Sequence, residues 1–365
     1  MKIQDIIRLL ENIAPPSLQE SYDNAGLLTG NTTWDCKGII TCLDATEEVI
    51  MEAVAMKCNM VVAHHPIIFK GLKKITGKNY VEKTIISALK NDIAIYAIHT
   101  NLDNIIDGVN GKIADTIGLV NHRILVPKED ILQKLAVFVP VDHKPAVMEA
   151  LFSAGAGNIG HYSECSFSAA GVGSFMGDNI ANPFVGKTGE RHYEKEEKIE
   201  VILPAWLQSQ VLKAMKNAHP YEEVAYDIYS INNSYGQTGS GIFGEFSEEM
   251  DETAFLALLK NKFNLSLIRH TAFTGKPVKK VAVCGGAGSF LTTAAIASGA
   301  DAYITSDIKY HEFFDADSKL LLADIGHYES EQFTTDLLFD ILSENFPNFA
   351  VLKTAVKTNP VNYFY

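Results

Sequence analysis

The sequence predicts an α/β protein in which two similar α/β halves, residues 1–125 and 236–365, form one domain, interrupted by a smaller α+β domain at residues 126–235. Two observations support this prediction. Short apolar runs of strand length alternate with helical patterns in both outer segments, which is typical of parallel α/β sheets. The middle segment instead repeats the order strand, helix, strand twice. A chain of 365 residues is long enough for more than one hydrophobic core.

Charge and composition exclude several classes of function. The chain has 31 Lys and Arg residues against 44 Asp and Glu residues, so its formal net charge of -13 repels nucleic acid and anionic membranes. No apolar run approaches the roughly 18 residues of a membrane-spanning helix. The five cysteines are widely spaced and include no Cys-x-x-Cys pair, so they indicate neither disulfides nor a thiolate zinc site. We therefore expect a cytoplasmic protein without a membrane or nucleic-acid partner.

The first half begins with an amphipathic helix, because Ile3, Ile6, Ile7 and Leu10 recur at helical spacing. Asp23 and the residues after it are typical of a turn. Strand and helix patterns then alternate. The predicted order is strand 38–43, helix 46–57, strand 60–63, helix 80–90 and strand 93–98. Two successive strand–helix–strand units of this kind predict a parallel sheet.

Polar side chains follow each predicted strand of this half. They are Asp44 after the first strand, His64 and His65 after the second, and His99 and Asp103 after the third. The carboxyl ends of parallel strands lie at one edge of a sheet, where ligands bind in open α/β folds. Two adjacent imidazoles at that edge indicate a metal site, with hydrogen-bonded structural histidines as the alternative.

The middle domain reads as a duplicated strand–helix–strand unit. The predicted elements are strand 134–140, helix 142–153 and strand 162–169, then strand 198–204, helix 205–217 and strand 223–231. This order is that of the split, ferredoxin-like sandwich. The phrase His219-Pro-Tyr-Glu resembles one in CutA and PII-like proteins, which are trimers, so we expect this domain to serve assembly. His219 itself is predicted to be structural, because other ligands are lacking nearby.

Two segments around this domain are predicted to be loops. The charged stretch 191–198 is typical of a solvated loop. The glycine-rich stretch 236–244 lacks the strand-to-helix context of a nucleotide-binding loop and is predicted to be a flexible return to the outer domain.

The second half resumes the α/β pattern. Its predicted elements are strand 278–283, a glycine-rich loop at 284–289, helix 290–298, strand 302–305, strand 319–323 and a helix ending near residue 345. Asp307 and His311 follow one strand, and His327 and Glu331 follow the next. Because His327 and Glu331 are four residues apart at a helix start, they project from one face. The glycine-rich loop is a candidate phosphate site through its backbone amides.

Six ordered motifs resemble those of the NIF-three-like family, whose members are also called GTP cyclohydrolase I type 2 homologs. The motifs are Tyr22-Asp-Asn-Ala-Gly-Leu, Leu43-Asp-Ala-Thr, His64-His-Pro-Ile-Ile-Phe, His99-Thr-Asn-Leu-Asp103, Gly299-Ala-Asp-Ala-Tyr-Ile-Thr-Ser-Asp-Ile-Lys-Tyr-His311 and Gly326-His-Tyr-Glu-Ser-Glu331. The middle domain resembles that of the longer bacterial members. Tyr22 is a departure, since the family pattern has Trp there.

The resemblance implies a dinuclear metal site and a ring-shaped assembly. Family members hold two divalent metals through two histidines, an aspartate, a further histidine and a glutamate, which here fall on His64, His65, Asp103, His327 and Glu331. They assemble as toroidal homohexamers of two stacked trimers. Imidazole and carboxylate donors suit Zn, Fe, Mn, Co or Ni and disfavour Mg and Ca, which prefer oxygen ligands.

The donor set points to chemistry at a pair of ions. Five ligands exceed what one tetrahedral structural zinc needs, and two ions bridged by a carboxylate suit attack on a polarised carbon or phosphorus centre. We therefore expect a metal-dependent hydrolase acting on a small molecule, either a nucleotide or a phosphoester. The alternative is a non-catalytic metal-binding ring or a metal-handling protein. Catalytic roles in proton transfer are expected for Asp44, His99, Asp307 and His311, with orientation of the metal ligands as the alternative.

Overall fold

The computed structural model describes residues 1–364, and contacts between residues divide the chain into two units. One unit joins Met1–Pro127 to the segment that starts at Gln237, and the other is Lys128–Gly236. Within the described residues, no helix is both long and apolar enough to cross a membrane.

The first half of the outer unit contains five strands and five helices. They are α1 (Ile3–Ile13), β1 (Gly26–Thr29), β2 (Ile39–Asp44), α2 (Glu47–Ala55), β3 (Met60–His65), α3 (Tyr80–Lys90), β4 (Ala94–Ala97), α4 (Thr100–Asp103), α5 (Val109–Ile117) and β5 (Val120–Pro127). The helices start where their caps predict. Thr46 accepts a hydrogen bond from the Val49 amide at the start of α2, and Asn79 accepts one from the Glu82 amide at the start of α3.

The inner unit, Lys128–Gly236, has four strands and two longer helices. They are β6 (Leu132–Pro140), α6 (Lys144–Ser153), β7 (Ser166–Phe175), β8 (His192–Pro204), α7 (Gln208–Ala218) and β9 (Tyr226–Ile231). The sheet order is β7-β8-β6-β9 and all its pairs are antiparallel. A core that includes Leu135, Val147 and Val211 joins the sheet to both helices.

The second half of the outer unit follows. Its elements are β10 (Gly239–Met250), α8 (Glu252–Lys262), β11 (Arg269–His270), β12 (Val278–Ala287), α9 (Thr292–Ala297), β13 (Ala302–Ser306), β14 (Leu321–Asp324), α10 (His327–Glu331), α11 (Thr334–Asn345) and β15 (Val351–Lys353).

These strands build two sheets in the outer unit. A five-stranded sheet has the order β1-β4-β3-β2-β15, and a six-stranded sheet has the order β11-β14-β13-β12-β10-β5. The central pairs β2–β3 and β3–β4 are parallel, as are β12–β13 and β13–β14. The last strand, β15, returns to pair with β2 in the first sheet. The carboxyl ends of β2, β3 and β4 therefore lie along one edge.

Both segments around the inner unit that were predicted to be loops are largely strands, and those predictions were wrong. Of the charged stretch 191–198, residues 192–198 lie in β8, which pairs with β7 on one side and β6 on the other. Its alternate side chains are half-buried, so charge did not preclude a sheet with one solvated face. The segment after residue 238 forms β10, between β5 and β12. At Gly239 a Cβ would lie 2.1 Å from the Val126 carbonyl oxygen, so close backbone approach requires that glycine.

Candidate metal centre

Three elements of the outer unit bring the predicted ligands together. His64 and His65 end β3, Asp103 ends α4, and His327 and Glu331 lie one turn apart on α10. The α10 pair contacts β12 and β13 of the second sheet, and the β3 pair belongs to the first sheet. The site therefore draws its donors from both sheets of one unit.

The donor atoms converge on Glu331. Its Oε2 lies 3.0 Å from His65 Nε2 and 3.1 Å from His327 Nε2, while its Oε1 lies 4.0 Å from His64 Nε2. His65 Nε2 and His327 Nε2 are 3.4 Å apart. The two carboxylate oxygens thus face different histidines, which is the arrangement of a carboxylate that bridges two ions.

Two buried atoms lack the partners that a polar atom needs. His64 Nε2 and Asp103 Oδ1 lie 3.5 Å apart, and both are inaccessible to solvent without a hydrogen-bond partner in the described chain. The His64 Nδ1–H group donates to the Ile98 carbonyl at 2.9 Å, so its Nε2 carries the lone pair. A buried lone pair beside a carboxyl oxygen is costly unless a cation satisfies both. The residues present fit a transition-metal ion.

Burial and neighbouring charges shift the pKa values of the proposed ligands in different directions. Burial lowers the pKa of His64 to about 3, so its ring is neutral. Burial also lowers the pKa of His65 and of His327, but hydrogen bonds to carboxylates outweigh it and raise their pKa to about 10 and about 9, respectively. Burial, followed by the charge of Glu331, raises the pKa of Asp103 well above its usual range.

Glu331 is the anion of the cluster. Burial opposes its charge, but hydrogen bonds from His327 and His65 hold its pKa well below the usual range. Only 3% of its surface is exposed. It is therefore a permanently ionised carboxylate at the centre of the donor set.

Three carboxylates outside the donor set hold the imidazoles in place. Asp44 Oδ1 lies 2.8 Å from His65 Nδ1, Asp307 Oδ2 lies 2.8 Å from His327 Nδ1, and Asp23 Oδ1 lies 2.8 Å from His99 Nδ1. Carboxylates only accept here, so each Nδ1 carries the proton and each Nε2 faces the cluster. Asp44 and Asp307 were predicted at the site. Asp23 was not, because its Asp-Asn dipeptide reads as an ordinary turn.

His99 belongs to this cluster more closely than predicted. Ligand atoms of His64, His65 and His99 lie within 4.8 Å of one another, as do those of His65, His327 and Glu331. His65 is shared by both groups. An ion held by His64 and His65 would therefore also lie within reach of the His99 imidazole.

His311 is not among the side chains that the structure brings together at this cluster, and its catalytic role stays a prediction. It lies on a 3-10 helix, Tyr310–Ala316, where its exposed ring contacts Tyr310 and Phe314. Asp307, which has a φ of 55°, hydrogen-bonds His327 Nδ1.

The glycine-rich stretch 284–289, predicted to be a loop, belongs to β12 as far as Ala287, and its two central amides are not free. The Gly285 amide donates to Asn110 Oδ1 at 2.8 Å, and the Gly286 amide donates to Ser330 Oγ at 3.0 Å. A Cβ on Gly286 would lie 2.4 Å from Glu331 Oε1. The hydrogen bonds of Gly285 and Gly286 occupy the two central amides that a phosphate site would use. The lack of a side chain at Gly286 allows Glu331 to approach the backbone.

Two cavities meet at His65 and His327. The larger, about 680 Å³, is bordered by the candidate metal cluster and by the exposed rings of Tyr22, Phe69 and Phe290. The smaller, about 470 Å³, lies beside Asp44 and Asp307. Among the described residues, no Lys or Arg lines the larger cavity.

His219, in the inner unit, is held by backbone groups. Its Nε2 lies 2.9 Å from the Phe138 carbonyl oxygen, and its Nδ1 accepts from the Tyr221 amide at 3.1 Å. Both ring nitrogens are thereby used, which leaves no lone pair for a metal.

Comparison with known proteins places this site in a family. "GTP cyclohydrolase 1 type 2 homolog" of Bacillus subtilis is 39% identical over 327 residues, 89% of this chain and 88% of that protein. The protein of the same name in Halalkalibacterium halodurans is 37% identical over 365 residues, 99% of this chain and 98% of its own. A crystal structure of a Bacillus cereus protein related to NIF3 superposes with a TM-score of 0.87 at 37% identity, covering 100% of this chain and 99% of that one.

The expected likeness of the inner unit to CutA gains no support from structural comparison. The CutA of Archaeoglobus fulgidus aligns with 29% of this chain at a TM-score of 0.23, which is too low to carry an argument.

The family model for Duf34/NIF3 (NGG1p interacting factor 3) matches residues 1–360, nearly the whole described chain and all residues of the candidate metal cluster. Taken with the relatives above, this match shows that the chain belongs to the DUF34/NIF3 family.

Proposed function

We propose that this protein is a dinuclear metal-dependent hydrolase that acts on a nucleotide or a phosphoester. The observation that carries the proposal is the pair of unpartnered buried atoms, His64 Nε2 and Asp103 Oδ1, next to a Glu331 whose two oxygens face different histidines. A purely structural cluster would satisfy these atoms with hydrogen bonds.

The residues that would hold two ions are His64, His65, Asp103, His327 and Glu331, with His99 in reach. Their nitrogen and oxygen donors suit Zn, Fe, Mn, Co or Ni. When bound, such ions supply Lewis-acid polarisation of a carbonyl or phosphoryl oxygen.

The chain's own groups supply orientation, proton movement and substrate contact. Asp44 and Asp307 keep the imidazoles in the tautomer that binds metal. The His99 ring, with Nδ1 held by Asp23, turns Nε2 toward the cluster and can move a proton there. Tyr22 and Phe69 offer exposed rings to a planar base. Because no Lys or Arg of the described chain lines that cavity, the charge of a phosphate would be met by the ions.

The assembly proposed for this chain is a homohexamer of two stacked trimers, in the cytoplasm. The inner unit supports a role in assembly through its ferredoxin-like order of β-α-β-β-α-β with strands arranged β7-β8-β6-β9. The relatives' name supports a nucleotide substrate, since they are called GTP cyclohydrolase homologs.

The test is turnover that depends on metal. Protein stripped by a chelator is reloaded with each of the five metals and assayed against GTP, other nucleotides and phosphoesters. We expect hydrolysis only in reloaded protein, and loss of that hydrolysis in Glu331→Gln. Fully loaded protein that hydrolyses none of these compounds would replace the hydrolase with a non-catalytic metal-binding or metal-handling assembly.

A further inference from the structure

The chain beyond β15 lies against the metal cluster without forming helix or strand. We call residues 354–364 the C-terminal strap. Its residues Asn359, Val361 and Tyr363 line the smaller cavity, which reaches His65 and His327. The strap is therefore part of the surroundings of two proposed ligands.

Carboxylates on three elements anchor the strap. Thr354 donates its hydroxyl to Glu52, which also accepts from the Ala355 amide at 2.8 Å. Further along, the Asn359 side chain donates to Glu329 Oε1 at 3.0 Å. Between these two anchors, Thr358 donates its hydroxyl to Asp44 Oδ2 at 2.7 Å.

The Thr358 contact differs from the others because its acceptor supports a proposed metal ligand. One oxygen of Asp44 bonds Thr358 and the other bonds His65 Nδ1 at 2.8 Å. Two bonds at the two oxygens fix the plane of the carboxylate, whereas one would leave it free to rotate. The plane of Asp44 in turn sets the direction of His65 Nε2.

The same arrangement occurs at a second histidine of the cluster. Asp23 bonds His99 Nδ1 through Oδ1, and its Oδ2 accepts from the Thr100 hydroxyl at 2.5 Å and the Thr100 amide at 3.0 Å. There the threonine is the residue next to the histidine. For His65 the threonine comes from the strap, 314 residues along the chain from Asp44. Asp307, which supports His327, has no such threonine in the described chain.

We propose that Thr358 is a positioning residue for His65, so that docking of the strap strengthens binding of the ion that His65 holds. The inference rests on the proposed metal centre. The strap would thus support a metal ligand through Thr358 and Asp44.

The experiment compares three variants of the full chain. Thr358→Val removes the hydroxyl and keeps the shape, Thr358→Ser keeps the hydroxyl, and Thr354→Val removes the matched hydroxyl that reaches Glu52 instead of Asp44. Zn²⁺ affinity is measured by competition with a chromophoric chelator, and ligand geometry by the visible absorption of Co²⁺-loaded protein. Circular dichroism checks folding, and Thr358→Ala repeats the loss should the valine variant misfold.

We expect Thr358→Val to weaken one of the two ions by about 10- to 100-fold, the usual effect of removing a partner of a metal ligand, and to shift the Co²⁺ spectrum. Thr358→Ser and Thr354→Val should bind as wild type does. Unchanged affinity in Thr358→Val would overturn the inference, as would an equal loss in Thr354→Val, which would show that strap packing alone matters. Wild type that binds no metal would instead overturn the proposed function.

Discussion

His64 Nε2 lies 3.5 Å from Asp103 Oδ1 in a region closed to solvent, and neither atom has a hydrogen-bond partner in the described residues. Burial lowers the pKa of the imidazole to about 3 and, with the charge of Glu331, raises the pKa of the Asp103 carboxyl well above its usual range. A cation between them would favour the charged form of the Asp103 carboxyl and satisfy both atoms.

Replacement of Glu331 tests whether one carboxylate serves two ions. Glu331→Gln should leave fewer than one of two expected transition-metal ions per chain, because its two oxygens face different histidines. Elemental analysis of protein purified without chelator measures this. Glu344→Gln, at an exposed position of α11, is the control. A fully loaded Glu331 variant would exclude a bridging role.

A side chain at Gly286 should disturb metal binding, because it would collide with Glu331. Gly286→Ala places Cβ 2.4 Å from Glu331 Oε1, so metal affinity should fall by at least about 10-fold. Gly275→Ala is the matched control, because Gly275 also has positive φ, at 74°, but meets no atom within 4 Å. Both changes should cost about 1–2 kcal/mol of stability from the left-handed backbone. Equal metal affinity in the two variants would contradict the crowding argument.

His99 and His311 should differ in their effect on turnover. His99→Ala should lower metal-dependent hydrolysis by roughly 10²–10⁴-fold with both ions retained, the usual contribution of a positioned acid or base. His311→Ala should leave the rate unchanged, since its ring is exposed and contacts the rings of Tyr310 and Phe314. Loss of an ion from His99→Ala would make His99 a ligand instead.

The hydrogen bonds of the Glu82 carboxylate should stabilise the folded protein at neutral pH and lose that effect in acid. The Glu82 carboxylate accepts from the Thr76 and Lys78 amides at 2.7 and 3.1 Å, and these bonds lower its pKa from 4.5 to about 2. A lowered folded-state pKa stabilises the protein above pH 4.5, and this stabilisation is lost as the pH falls toward 2.

Urea unfolding of Glu82→Gln measures that contribution. The variant should be less stable than wild type at neutral pH, and the difference should shrink below pH 4.5. Glu248→Gln, at an exposed position, is the control. A difference that stays constant down to pH 2.5 would show that the charge of Glu82 has no part in it.

The inner unit should be dispensable for metal binding. Pro127 at the end of β5 is the register partner of Gly239 in β10, so an Asn-Gly linker in place of 128–236 closes a hairpin whose loop is Asn-Gly followed by Gln237 and Thr238. The deleted protein should fold and bind metal, because none of the proposed ligands lies in the removed segment. Light scattering should report a smaller oligomer than wild type, and an unchanged mass would argue against assembly through this unit.

The local pattern of apolar and polar residues was sufficient to predict where along the strands and helices the proposed ligands lie. Apolar runs of strand length followed at once by His64, Asp44 or His99 put polar groups at strand ends, and parallel pairing brings those ends to one edge. His327 and Glu331 share a helix face because of their spacing alone. These are short-range properties that one sequence displays.

Local pattern failed where a distant partner decided the outcome. The charged stretch in β8 is a strand because β6 and β7 flank it, and the glycines after Gly236 enter β10 because β5 and β12 do the same. Hydrogen-bonding neighbours of this kind override local propensity, which is weak in strands.

The sequence by itself determined which side chains reach the ligand edge, because strand ends and helical spacing are local. Only the tertiary structure decided which other groups hold those side chains in place by hydrogen bonds. Asp23 turns toward His99 from 76 residues away, and Thr358 reaches Asp44 from 314 residues away. No periodicity encodes such contacts, since they arise when the two sheets and the C-terminal strap pack around one buried carboxylate, Glu331.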